Sequence, residues 1–362
     1  MYDFLPTPAV VVRLDQVEKN IREMVEGCQK YHIDHRPHIK SHKSCYLAKM
    51  QLELGAKGIT CAKLGEAETM AENGIRNILI AYALIGEDKM HRLGCLMDQS
   101  DVVTLVNSRE GAQQLSDLGQ MKKKKVRVLI DLDGGVNRGG KKPGKEAVEF
   151  AKAIRPLEGI DICGLMYYGG TIYAEDTEEG IDRVALLERD SLLTTARLMR
   201  DAGFSMQILS GGNSFSSKRP NLLEGITETR AGHYIFNDCG QVAVHFATEK
   251  QCALQVVSTV ISTPDAHHAI IDAGSKTLSS DLCAHRPGFG IVVGRNDIRI
   301  AHLNEEHGYL ESDRELNLKI GEKIAIIPNH ACVVPNLTDE MYGLRGGVFD
   351  RMIRVDARGK NR

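Results

Sequence analysis

From about His38 to Gly240 the chain repeats one unit: a short apolar run, then a stretch with helical spacing of apolar residues. That repetition restricts the fold more than any single residue does. Counting from the segment at His38, the further strand segments are Gly58–Ala62, Asn77–Ala81, Asp101–Val106, Val126–Asp131, Asp161–Tyr168, Ser205–Ser210 and, more weakly, Gly225–Arg230. Helical patterns separate most of them, the longest ending near Ala202-Gly203. Such alternation calls for parallel strands joined by helical crossovers, and eight units are enough to close a (β/α)8 TIM barrel. An open doubly wound sheet is the competing architecture, but no GxGxxG follows the first strand.

Past Gly240 the rhythm changes. Cys252–Thr263, His268–Ala273, Asn296–His302, Glu322–Ile327 and Gly346–Val355 are β-rich runs with no convincing helix between them. The expectation is an α/β barrel over residues 10–240 and an all-β C-terminal domain over 241–362, with the N-terminal strand of residues 1–10 a candidate to join it. A formal net charge of −2 argues against a nucleic-acid surface, and the basic run Lys122–Lys125 reads as a solvated loop. No apolar run approaches the roughly 20 residues that span a bilayer, and the N-terminus has no signal-peptide pattern, so no membrane is expected. Nine scattered cysteines without a CxxC pair suit reduced thiols and a cytoplasmic location.

In a barrel, side chains that do chemistry project from the C-terminal ends of the strands and the loops beyond. Lys40 ends the first segment, inside Arg36-Pro37-His38-Ile39-Lys40-Ser41-His42-Lys43. Asn137-Arg138-Gly139, Tyr167-Tyr168, Ser210-Gly211-Gly212-Asn213 and Arg230-Ala231-Gly232-His233-Tyr234 follow later strands, so all five groups fall on one face. A lone lysine is ordinarily a solvated charge, and a glycine pair is ordinarily a turn. Together they make a coherent phosphate cradle facing an amine, because glycine lets backbone N–H groups approach an anion. A lysine whose amine can be deprotonated forms imines with carbonyls. Pyridoxal 5'-phosphate satisfies both needs.

A second constellation is Pro328-Asn329-His330-Ala331-Cys332. On extended chain, residues i and i+2 face one side, so the imidazole and thiol can meet one ion, and such donors suit Zn²⁺. The alternative is a buried cysteine beside a turn histidine. Two protein ligands are too few for a structural zinc, so an ion there keeps positions open for water or substrate. His307 reads as an exposed loop histidine, Cys45, Cys61 and Cys163 as packing residues, and Asp272 with Lys276 as a structural pair.

The sequence resembles the D-threonine aldolase and D-serine dehydratase group of fold type III pyridoxal-phosphate enzymes. The matching segments are Arg36–Lys43, Gly58–Ala62 with Gly65–Glu68, Ser210–Gly212, Thr229–Tyr234 with Asn237-Asp238, Asp272–Gly274, Glu305–Gly308 and Pro328–Cys332. They run over nearly the whole chain in the family's order. The resemblance implies an alanine-racemase-type barrel followed by a β-domain, as a homodimer acting on a small D-amino acid. It implies that Lys40 holds the cofactor as an imine, with Arg138 and Tyr168 near its ring. Ser210, Gly211, Gly212 and Asn213, with Gly232 and Tyr234, match the phosphate cradle. His330 and Cys332 match the pair that binds a divalent metal, Zn²⁺ or Mn²⁺. Two departures bear on the reaction: a cysteine is the second ligand, and no histidine follows Tyr168. Both favour β-elimination by a D-serine/D-threonine-type dehydratase over retro-aldol cleavage by a D-threonine aldolase, with a racemase or epimerase next. A non-catalytic pyridoxal-phosphate carrier of the same barrel is a different class, and it would lack the β-domain.

Overall fold

The computed structural model describes residues 2–362. It divides the chain into two compact units. One comprises Arg22–Lys40, Leu47–Gly232 and Lys360–Arg362; the other comprises the residues up to Ile21, Ser41–Tyr46 and His233–Gly359. The β unit therefore takes in β1 (Ala9–Arg13), the segment after Lys40, and His233–Gly359.

The first unit carries β2 (Asp34–His35), β3 (Ile59–Cys61), β4 (Asn77–Ala83), β5 (Asp101–Val106), β6 (Val126–Leu132), β7 (Ile160–Tyr167), β8 (Ile208–Gly211) and β9 (Glu228–Thr229). They form one sheet in the order β2-β9-β8-β7-β6-β5-β4-β3, every pairing parallel. The two end strands also meet. His38 pairs in parallel with Thr60, Thr60 N donates to Pro37 O at 2.8 Å, and Lys57 N donates to His35 O at 2.9 Å. The sheet thus closes on itself, as the repeat count required.

Strands covered on both faces read as continuous apolar runs. Val102–Val106 is buried throughout, and Leu79, Val103, Leu105, Leu129, Cys163, Met166 and Ile208 pack into one cluster. The closing strands differ, because β2 and β9 are polar and two residues long. Their burial rests on an ion pair: Arg36 Nε to Glu228 Oε2 is 3.0 Å, with both side chains 3% exposed or less. Removing one partner of such a pair costs about 3–5 kcal/mol, because it strands the other charge.

His35 adds a pH dependence. It is fully buried on Thr229 Oγ1 (3.0 Å), and burial pushes its imidazole down to about 3. Below about pH 6.5 the unfolded chain takes up a proton that the folded chain refuses until about pH 3. The contribution is therefore complete above pH 6.5 and falls as pH drops, by up to about 1.4 kcal/mol per unit. Melting curves from pH 7 to 5 should show a steeper loss for the parent chain than for His35→Gln. Equal slopes would remove His35 from the acid sensitivity.

The second unit carries β10 (Leu254–Ser262), β11 (His268–Ile271), β12 (Ile291–Val292), β13 (Arg299–Leu303), β14 (Gly308–Glu311), β15 (Lys323–Ile327), β16 (Glu340–Arg345) and β17 (Val348–Arg354). The sheet runs β13-β14-β11-β10-β1-β16-β17, with β15 pairing β10 and β12. β1 lies antiparallel to β10 and parallel to β16, so the N-terminal strand is central to it. Leu5, Ala9, Val11, Val257 and Leu344 form the core there. The single strand expected over 346–355 is instead half of a hairpin. Gly346 and Gly347 turn at φ +57° and +80°, which favours glycine at both positions. Short helices also occur where none was expected, at Cys239–Ala243 and Ser275–Leu278. No helix among the described residues is long and apolar enough to cross a membrane.

Candidate active site

At the C-terminal ends of the barrel strands, the chain leaves β2, pairs once more at His38 and enters a 3-10 turn, Ile39–Ser41. Ile39 is buried and Lys40 exposed, so the turn anchors on one side chain and presents the next. Lys40 N approaches His38 Nδ1 at 3.4 Å. Among the described residues the Lys40 amine makes no ion pair.

After β6, Asp133 Oδ1 accepts from the N–H groups of Gly135 and Asn137, coiling the loop that ends on Arg138. A Cβ on Gly134 would sit 1.8 Å from Tyr168 O, so only glycine lets this loop lie against the residue after β7. The Arg138 guanidinium then stacks 4.7 Å from the centre of the Tyr168 ring. These two candidates are brought together.

The loop after β8 is held from within by buried polar side chains. The Ser210 hydroxyl donates to Glu228 Oε1 and accepts from Arg230 Nη1, both at 2.8 Å, and Ser210 is fully buried. Gly212, at φ +76°, donates its N–H to Glu188 Oε1 at 2.9 Å. Asn213 Oδ1 accepts from the N–H groups of Phe215 and Ser216, and its amide donates to Gly169 O. Glu188 Oε2 accepts from Ser216 Oγ, and Arg230 also donates to Gly211 O and Tyr167 O. Ser210 to Asn213 are thus held by a buried framework around Glu188, Glu228 and Arg230. Burial pushes the Glu188 carboxyl up and the Arg230 guanidinium down, and each draws the other back. The sequence reading assigned Glu188 and Glu228 no role. Their only local signal is a carboxylate on the apolar face of a helix and in a polar strand.

Gly232 closes the barrel-unit part of its segment and is buried. Tyr234, grouped with it at the cradle, falls in the β unit, 1% exposed in the turn His233–Ile235. A test of fit for pyridoxal phosphate rests on unused donors. Lys40 and Arg138 carry no ion pair among the described residues, and Ser217 Oγ, buried beside Gly212, has no hydrogen-bond partner. Amine, guanidinium and hydroxyl donors without acceptors fit a group bearing an aldehyde and a phosphate.

In the β unit, His330 and Cys332 do not lie on extended chain. They fall in the turns after β15, where Val333 N donates to His330 O. Their side chains meet all the same, in a cluster recruited from afar. Cys332 Sγ is 3.1 Å from Ser41 Oγ, and the imidazoles of His233 and His330, with ring centres 6.3 Å apart, both act on its thiol. Burial alone pushes the thiol up, but the two imidazoles outweigh it and bring it down to about 5. His330 moves the other way, up to about 10, chiefly through its hydrogen bond to Cys332 and against burial. Asp281 Oδ2, 2.8 Å from His330 Nδ1, fixes the ring so that Nε2 is left for the thiol side. Asp238 Oδ2 accepts from Ala331 N and steadies the turn.

Among the described residues, no three His, Cys, Asp or Glu side chains surround a common ion position. The donor chemistry of the pair still fits a borderline divalent ion: a thiolate, an imidazole, and a carboxylate orienting that imidazole. His307 is exposed; Asp272 holds Thr7 and Ser258 rather than Lys276, which pairs with Glu305 and Glu306.

Residues 12–239 match the alanine racemase N-terminal domain, and residues 253–344 match a putative serine dehydratase domain. The chain is 30% identical to a 3-hydroxy-D-aspartate aldolase of Paracoccus denitrificans (strain Pd 1222), over 98% of this chain and 93% of that protein. It is 31% identical to a D-threo-3-hydroxyaspartate dehydratase of Delftia sp. (strain HT23), over 91% of each. Among solved structures, D-threonine aldolase from Filomicrobium marinum superposes with a TM-score of 0.91 at 29% identity, covering 99% of this chain and 97% of that one.

Proposed function

The chain belongs to the alanine racemase N-terminal domain family, and on that premise we propose that it is a pyridoxal-phosphate- and divalent-metal-dependent lyase acting on D-3-hydroxy amino acids. The reaction we assign is dehydration of a D-serine- or D-threonine-type substrate to a 2-oxo acid and ammonia. The observation that carries this choice is a cysteine, Cys332, as the neighbour of the Asp281-oriented His330, a thiol and imidazole set matched to an ion that binds a hydroxyl leaving group.

Lys40 is the residue that would hold pyridoxal phosphate, and its amine is the base that would take the proton from the substrate's Cα. The bound cofactor supplies an electron sink for the charge left at Cα. Arg138, stacked on Tyr168, flanks the ring; Ser217, Gly232 and Tyr234 serve the phosphate end, with Ser210 to Asn213 fixing the loop from beneath. His330 and Cys332 are the residues that would hold Zn²⁺ or Mn²⁺, and the ion would supply Lewis-acid chemistry for a hydroxyl leaving group. Asp281 keeps His330 in the ligating tautomer. Nine free cysteines support a reducing, cytoplasmic location, and the family resemblance supports a homodimer.

The aldolase of Paracoccus denitrificans named above supports a second reading, retro-aldol cleavage. One incubation separates the two. Dehydration predicts 2-oxobutanoate and ammonia from D-threonine, with no glycine. Acetaldehyde with glycine would replace the dehydratase assignment by the aldolase one, and L-threonine or L-allo-threonine would point to an epimerase.

A further inference from the structure

We propose that Asn329 is a positioning residue for the metal pair: its side-chain amide ties down the loop that carries Asp281, and so fixes where the Asp281 carboxylate meets His330. This rests on the reading of His330 and Cys332 as metal ligands, in which Asn329 has no part so far. Asn329 Nδ2 donates to Asp281 O at 3.0 Å and to Gly288 O at 2.8 Å. The next residue, His330, is the one whose Nδ1 meets Asp281 Oδ2 at 2.8 Å. Two successive residues after β15 therefore grip one aspartate, Asn329 by its main chain and His330 by its side chain.

The far end of the loop is anchored independently. Gly288 stands at φ +91°, where a Cβ would lie 2.8 Å from Ile300 O, and Phe289 N donates to Ile300 O at 3.0 Å. That end is thus pinned to β13, while Asn329 follows closely on β15, itself paired with β10 and β12. Asp281 is held more lightly. Its N–H donates to Ser279 Oγ at 3.1 Å, but Leu282 beside it is 75% exposed, and the chain then turns back through the isolated bridge between Cys283 and Arg286. The Asn329 amide links this end of the loop to the anchored one.

The burial of that amide shows which of its atoms matter. Asn329 is 6% exposed, and its Oδ1 is buried with no hydrogen-bond partner among the described residues. Turning the amide over would set Oδ1 against two carbonyl oxygens, so the loop fixes its orientation. An unpaired buried acceptor is unfavourable, and what offsets it is one NH2 group satisfying two loop carbonyls. Leucine has nearly the same shape without a donor. Glutamine keeps the donors but carries them one methylene further.

The test compares the parent chain, Asn329→Leu, Asp281→Asn and the double variant, all loaded with cofactor. Zn²⁺ affinity is read by competition with a chromophoric chelator, and hydrogen exchange of the 281–288 segment is followed by mass spectrometry without metal. Asn329→Leu should weaken Zn²⁺ binding about tenfold. It should also speed exchange in the loop at least about tenfold, with β10 and β15 unchanged. In the Asp281→Asn background it should cost less than about a further twofold, because the contact it protects is already lost. Losses that multiply in the double variant would overturn the route through Asp281, and unchanged loop exchange would overturn the tie. Should Asn329→Leu loosen β10 and β15 as well, Asn329→Gln takes its place: weakened Zn²⁺ binding with those strands intact is expected, and parent-like affinity would overturn the positioning role. Loop exchange needs neither metal nor turnover, so failure of the metal reading is seen separately, as a parent chain that binds no Zn²⁺.

Discussion

Lys40→Ala lowers kcat/KM for D-threonine by about 10⁴-fold or more and removes the near-visible absorbance of the cofactor-loaded protein. The loss, about 5.5 kcal/mol of transition-state stabilisation, combines a missing covalent anchor with a missing base at Cα. The fold should be indifferent. Lys40 is exposed and makes no ion pair among the described residues, so melting should shift by no more than a degree or two. Lys40→Arg sharpens the test, because it keeps the positive charge but its guanidinium stays protonated and cannot form an imine. If charge alone mattered, Lys40→Arg would retain much of the activity. Lys40→Arg should instead fail as Lys40→Ala does.

The second large effect is at the thiolate. Cys332→Ala and His330→Ala should each cost about 10³-fold in turnover and abolish retention of Zn²⁺ or Mn²⁺ through gel filtration. Asp281→Asn should cost only about 10- to 100-fold, because it weakens the orientation of His330 without removing a donor. The three therefore form a graded series, and excess metal should partly rescue Asp281→Asn but not the other two. In Cys332→Ala the imidazole of His330 also loses the partner that raises it most, so its titration should fall back toward the ordinary histidine range. Full turnover after exhaustive chelation would remove the pair from the mechanism, whatever the variants do.

Much of the architecture was legible because buried parallel strands have a local signature. Asn77–Ala83, Asp101–Val106, Val126–Leu132 and Ile160–Tyr167 are near-continuous apolar runs, and each lies within a few residues of the segment read from the sequence. The strands that close the barrel were weak for a physical reason. Asp34, His35, Glu228 and Thr229 are polar, and what buries Glu228 is Arg36, 192 residues away in sequence. No window of local sequence contains that pairing.

The site divides along the same line. Lys40, Arg138 and Tyr168 were visible as unusual side chains just past strand ends, and Arg138 does meet Tyr168. Ser210 was visible too, but the carboxylate that accepts its hydrogen bond and the guanidinium that donates to it lie 18 and 20 residues on. His330 and Cys332 were found by spacing, under the assumption of extended chain, whereas turns bring them together. The groups that tune them, His233, Asp281 and Ser41, come from three distant segments. Long-range charge complementarity, unlike periodicity, leaves no trace in neighbouring residues.

Covalent capture of the cofactor identifies the lysine that holds it. The protein is loaded with pyridoxal phosphate, reduced with borohydride, digested and mapped by mass spectrometry. A single phosphopyridoxyl-lysine is expected, at Lys40, and its formation should also block turnover. Modification at another lysine, or none at all with turnover intact, would contradict it.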